Sequence, residues 1–148
     1  MARHLPPPEL YVDGCDVCLD PVTAHNVRAN LAVVAGRVWV LRPGDGVSLG
    51  AAPVLDGLGC LALYAPWEAA GATADFLDRL RPWMAAGCSP GEAIARAAEA
   101  AGGVPAIRDG GPADLWLVPG GPLCDPTALA NPRFVVREGR LQPPQRAL

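Results

Sequence analysis

The stretch "CLALYAPWEAAG", Cys60 to Gly71, decides how this chain is read. Cys60 to Tyr64 is an apolar run of strand length. It meets a breaker at Ala65-Pro66 and gives way at once to small, helix-favouring residues. Strand-like segments precede it, a helical period begins just after it, and strand-like segments return towards the C-terminus. The predicted order is strands, then helices, then strands.

Working back from Cys60, "PVLDGLGCLAL" holds two short strands around Asp56-Gly57, and "RPGDGVSLGA" reads as a loop. "ANLAVVAGRVWVL" holds two β-branched runs hinged on Ala35-Gly36, a hairpin signal. "ELYVDGCDVCLD" is β-rich, with Asp13-Gly14 as a tight turn or bulge, and Asp20-Pro21 is turn chemistry.

Working forward, Phe76, Leu77, Leu80, Trp83 and Met84 fall on one helical face, with Thr73 as N-cap. Pro82 is expected to kink or break that helix. In "SPGE", Ser89 caps, Pro90 suits the first helical position and Glu92 completes a capping box. The helix should end at Gly102-Gly103 and bury Ile94, Ala97, Ala98 and Ala101. "LWLV" and "RFVVREGRL" return to strand period around a Glu138-Gly139 turn, and "QPPQRAL" reads as a frayed tail.

A chain of 148 residues with 51% hydrophobic content is long enough for a sizeable core. Aromatics are only 5%, so small side chains must do most of the packing. All 12 basic residues are scattered arginines and the net charge is −3, which argues against nucleic acid as a partner. Three prolines interrupt "MARHLPPPEL", which therefore lacks the apolar core of a signal peptide, and no apolar run is long enough to span a bilayer. A cytoplasmic protein that does not engage a membrane is expected. Its five cysteines, Cys15, Cys18, Cys60, Cys88 and Cys124, then read as reduced thiols.

Cys15 and Cys18 have the spacing of half a zinc knuckle or of a redox pair. No second C-x-x-C or H-x-x-x-H completes four ligands, and His4 and His25 are isolated. In an extended strand, residues three apart also point to opposite faces. Ordinary buried side chains are the favoured reading of both cysteines. Cys88, just before the Ser89 cap, sits where a helix N-terminus lowers a thiol pKa, but a packing role is favoured there too. "PGDG" (43–46) and "DGGP" (109–112) lack the phosphate-loop pattern and read as turns. The carboxylate pairs Asp75 with Asp78 and Glu92 with Glu99 fall on faces expected to be solvated.

Four stretches together resemble the amidohydrolase superfamily. "LYVDGCDVCLDPVTAHNVRANLAVVAGRVWVL" is similar to its opening strand, Asp-Pro turn and hairpin, and "APVLDGLGCLAL" to the strand pair that follows. "MAAGCSPGEAIARAAEAAG" resembles the last barrel helix, and "GPADLWLVPGGPLCDPTALANPRFVVREGRL" the closing strands. The resemblance covers most of Leu10 to Leu141. It implies a small β-sandwich built from both chain ends beside a catalytic barrel.

The chain departs from that family at the opening stretch. Where the resemblance calls for a His-x-His strand, Leu63 to Ala85 carries no His-x-His and no metal-bridging lysine. Asp75 stands roughly where a terminal metal-ligating Asp would be sought, but a lone carboxylate does not hold a catalytic divalent metal. A (β/α)₈ barrel needs about 200 residues or more, and the bridge is far shorter.

The expected fold is therefore mainly β with a helical insert, an α+β chain. It is a β-sandwich of N- and C-terminal strands bridged by two helices. One domain is expected over 1–148, with sandwich strands at 10–64, a helical bridge at 66–102 and closing strands at 113–142. The resemblance implies a composite domain without its metal-binding barrel: a non-catalytic interaction or structural module, with no catalytic, cofactor or metal residues and no cofactor. Its expected partner is a second copy or a barrel-bearing protein. The alternatives are a subunit or remnant of a hydrolase acting on C–N bonds of cyclic amides or nucleobases, or a small-molecule binder lined by Trp67, Trp83 or Trp116.

Overall fold

The computed structural model describes residues 4–64, 73–100 and 106–142; the backbone alone is described for 73–77 and 130. Strand β1 is His4–Leu5, and β2, Leu10–Asp20, is the longest. β3 (His25–Val34), β4 (Arg37–Leu41), β5 (Gly46–Val47), β6 (Val54–Asp56) and β7 (Cys60–Tyr64) follow. Helices α1 (Thr73–Ala85) and α2 (Pro90–Ala100) come next. Then come β8 (Gly111–Pro112), β9 (Leu115–Pro119), a 3₁₀ turn at Pro126–Ala130, β10 (Phe134–Arg137) and β11 (Arg140–Leu141). The described residues are mostly β with two helices, in the strand–helix–strand order expected.

One nine-stranded mixed sheet holds most of the strands, in the order β11-β10-β9-β7-β2-β3-β4-β8, with β6 also on β2. The long β2 makes this possible. Its first half pairs in parallel with β6 (Tyr11 beside Val54) and its second half with β7 (Asp16 beside Leu61). Between the halves, Asp13-Gly14 forms a bulge, with Gly14 at φ 68° and its N–H donating to Asn30 Oδ1 at 2.8 Å. The extra residue shifts the side-chain alternation by one. Leu10 and Val12 before it, and Cys15 and Val17 after it, therefore all reach the same inner core.

The layers expected of a sandwich are parts of this one sheet, which rolls until its ends meet. Gly139 N–H donates to Ala113 O, and Ala113 N–H donates to Gly36 O. Gly139 lies so close to the β3–β4 turn that a Cβ there would stand 3.0 Å from Val33 Cγ1. The rolled interior holds the first core, including Leu31, Val38, Leu115, Leu117 and Val136. β1 and β5 pair with each other and cover a second face of β2–β4, where Leu5, Tyr11, Ala32 and Leu41 pack.

The helices cover the outer face of β7 and β9. Leu61, Leu63, Trp116 and Val118 point outward from those strands and meet Leu80 of α1 and Ala93, Ile94, Ala97 and Ala98 of α2. Small residues on α2 allow close approach. At Gly91 the backbone of α2 comes so near the β2–β3 turn that a Cβ would collide with the carbonyl oxygen of Pro21.

Three local expectations change. α1 is continuous through Pro82 and ends at Ala85, so the proline neither breaks it nor stops it at once. Gly46-Val47, inside the expected 42–51 loop, is strand β5, and Gly111-Pro112, inside an expected turn, is strand β8 on the edge of β4. In both cases two residues pair because an edge lies beside them, which local composition does not reveal. Ala101, Gly102, Gly103 and most of the C-terminal tail lie outside the described residues.

Candidate functional site

The Cys15-x-x-Cys18 motif lies on β2 just after the bulge. An extended strand puts its two sulfurs on opposite faces: Cys15 joins the inner core and Cys18 the helix-covered one. Both are essentially inaccessible, and burial pushes each thiol up to about 12. Cys15 Sγ donates to Ala29 O at 3.7 Å, consistent with a neutral thiol. The pair does not converge on a common ligand position.

What the fold does bring together is Cys15 and Cys60. β2 and β7 run parallel, with Asp16 beside Leu61 and Val17 beside Ala62. Cys15 and Cys60, each one residue before those partners, lie in the same core cluster. Both belong to the inner core, and a charge on Cys60 contributes to raising the Cys15 thiol. Burial likewise raises Cys60, against an opposing pull from the Arg133 guanidinium. Sequence spacing hides this pair, because its members belong to strands joined by a long excursion through β3 to β6.

The other candidates are dispersed. His4 and His25 are exposed on different strands. Cys88 is half-buried at the rim of the helix-covered core, its N–H donating to Trp83 O at 3.0 Å; Cys124 is exposed in the loop before the 3₁₀ turn. Ser89 Oγ accepts from the Glu92 N–H and also hydrogen-bonds Glu92 Oε1, both at 3.2 Å, so this segment caps α2. Glu92 and Glu99 are exposed, and Asp78 forms a surface ion pair with Arg81 at 3.1 Å. Asp75 lies on α1, where only the backbone is described.

Among the tryptophans, Trp116 is buried between sheet and helices and Trp83 is half-buried against the same core. Trp67 lies outside the described residues. The 43–46 segment turns through Asp45, whose carboxylate accepts from the Arg42 N–H at 2.9 Å. Asp109 likewise accepts from the Val40 N–H at 2.8 Å, tying the 109–112 segment to β4.

The pKa shifts share one character. Tyr11, Cys15, Cys18, Cys60 and Tyr64 are all raised, each chiefly by burial, which holds these groups neutral. Among the described residues no charged or polar side chain is buried and no three His, Cys, Asp or Glu side chains gather as metal ligands. No helix among them is long and apolar enough to cross a membrane. Compared with known proteins, the chain matches no family model and no curated protein sequence.

Proposed function

We propose that this chain is an amidohydrolase-like composite domain without a catalytic barrel, acting as a non-catalytic interaction or structural module. The observation that carries the reading is the pairing of β7 with β9. Cys60 to Tyr64 ladders antiparallel with Leu115 to Pro119, joining strands from the two ends of the chain across the helical bridge. In a barrel-bearing relative of the kind the resemblance implies, the strand after Leu63 would enter the barrel. Here the sheet closes without one, and α1 and α2 pack on the face that the barrel would otherwise adjoin.

The chemistry of the described residues supports a binding role over turnover. Acid–base or nucleophilic catalysis needs ionisable groups tuned by charged partners in an accessible site. Here burial-led shifts hold the Cys15 and Cys18 thiols neutral, while the carboxylates of Asp45 and Asp78 serve a turn and a surface pair and Glu92 belongs to the α2 cap. On this reading the partner is a second copy of the chain or a separately encoded barrel-bearing protein.

The test is an assay of the purified chain on cyclic amides and nucleobases, with and without added divalent metal. The reading predicts no hydrolysis above the protein-free blank. Metal-dependent turnover that co-purifies with the chain and is lost on chelation would replace it with the hydrolase alternative.

A further inference from the structure

β6 (Val54–Asp56) lies along one side of β2, and among the described residues no strand pairs with its other side. The hydrogen bonds show which groups face that way. Tyr11 N–H donates to Pro53 O, and Gly57 N–H donates to Asp13 O. In a parallel ladder alternate residues of a strand bond the same neighbour, so Pro53, Leu55 and Gly57 address β2. Val54 and Asp56 turn their backbone N–H and C=O groups away from it. The same edge is apolar at the surface: Val54 is 51% exposed, and Leu58 in the turn that follows is 62% exposed. An edge of this kind is a template for a strand of another chain.

A distant side chain reaches this edge. Arg133 stands just before β10, its N–H donating to Leu117 O at 2.8 Å. From there its Nη1 donates to Leu58 O at 2.7 Å and to Asp56 O at 3.4 Å. Asp56 O is one of the outward acceptors that an added strand would use.

We propose that Arg133 is an edge guard that keeps β6 from pairing with β6 of a second copy of this chain. The guanidinium takes the outward carbonyl of Asp56, and it sets a positive charge on a long side chain where the incoming strand would lie. Covering that charge with another chain costs its hydration, which opposes pairing. A second copy is the occupant kept out because β6 matches itself about a two-fold axis, with Val54 of each chain opposite Asp56 of the other. The proposal does not rest on the composite-domain reading, since it concerns an edge that the native chain keeps closed.

The experiment compares the full chain with Arg133→Ala by sedimentation velocity over a range of concentrations, so that any assembly of the parent is the baseline. Arg133→Ala is expected to add a concentration-dependent step that doubles the parent's mass. Val54→Pro is the decisive second change. The Val54 N–H faces away from β2, so proline there removes no bond of the β2 ladder while denying the outer edge a donor. Arg133→Ala with Val54→Pro should return to the parent's mass, and Val54→Pro alone should match the parent. If the proline is not tolerated, Val54→Lys takes its place, because a charge on the edge blocks the same pairing. No added step in Arg133→Ala, or a step that survives the change at Val54, overturns the proposal. If Arg133→Ala does not fold, Arg133→Met, which keeps an aliphatic stem without the donors, is measured in the same way. Failure of both variants to fold would make Arg133 a requirement of the fold itself and overturns the proposal as well.

Discussion

Gly91 shows how one missing side chain joins two layers of the molecule. Pro21 at the end of β2 and Gly91 in the first turn of α2 touch backbone to backbone, and a Cβ has no room between them. Alanine ordinarily gains roughly 1 kcal/mol over glycine inside a helix, but forcing atoms into a filled contact costs about 1–3 kcal/mol. Gly91→Ala is therefore expected to destabilise the fold by up to about 2 kcal/mol, seen as a lower urea midpoint with unchanged slope. A variant as stable as the parent would mean the contact is loose. The cysteines give a second residue-scale prediction. Cys15 and Cys18 ionise near 12 in the fold against 9.0 for an unburied thiol. Above pH 9 the unfolded chain releases protons that the fold retains. The stability contributed by these neutral thiols is complete below about pH 9 and is lost as pH climbs towards 12, at about 1.4 kcal/mol per unit for each. Denaturant melts between pH 8 and 11 should show that slope, and Cys18→Ala should make it shallower.

At the scale of elements, the turns were the most legible feature. Ala35-Gly36 and Glu138-Gly139 each join two strands through two residues with positive φ, at 53° and 74° and at 51° and 79°. This is the twist a two-residue hairpin prefers, and a non-glycine residue pays for its left-handed position. Ala35→Asn, which tolerates that region, should raise stability by about 0.5–1 kcal/mol, read as a higher thermal midpoint. The α2 cap was legible too, because Ser89, Pro90 and Glu92 act within a single turn. Ser89→Ala should cost about 1 kcal/mol, and a neutral effect would assign the start of α2 to Gly91 packing alone. What local pattern did not show was partnership between distant segments. The two-residue strands β5 and β8 exist only because β1 and β4 present edges to them. The parallel placement of β7 beside β2 likewise depends on β2 being long enough to serve both β6 and β7. The separation of Cys15 from Cys18 was legible, because a strand's alternation sends residues three apart to opposite faces, and the two sit in different cores.

At the scale of the whole molecule, the sheet is held shut from three directions. The bulge at Gly14 turns β2 so that its inner face stays continuous, the β7–β9 ladder joins the two chain ends, and the Gly139–Ala113–Gly36 bonds bring the sheet edges together. The helices then cover the outer face of β7 and β9. Val22, Val54, Leu58 and Leu141 remain the large apolar side chains exposed among the described residues. A rolled sheet that closes without a barrel is the physical basis for reading the chain as a module that works through a partner. The measurement that tests this most directly is the mass and composition of the complex formed by the native protein, purified from its own host and weighed intact by mass spectrometry. The account predicts a fixed-stoichiometry assembly, either copies of this chain or this chain with a histidine-rich barrel protein. A chain recovered only as a free monomer across a wide concentration range would contradict it.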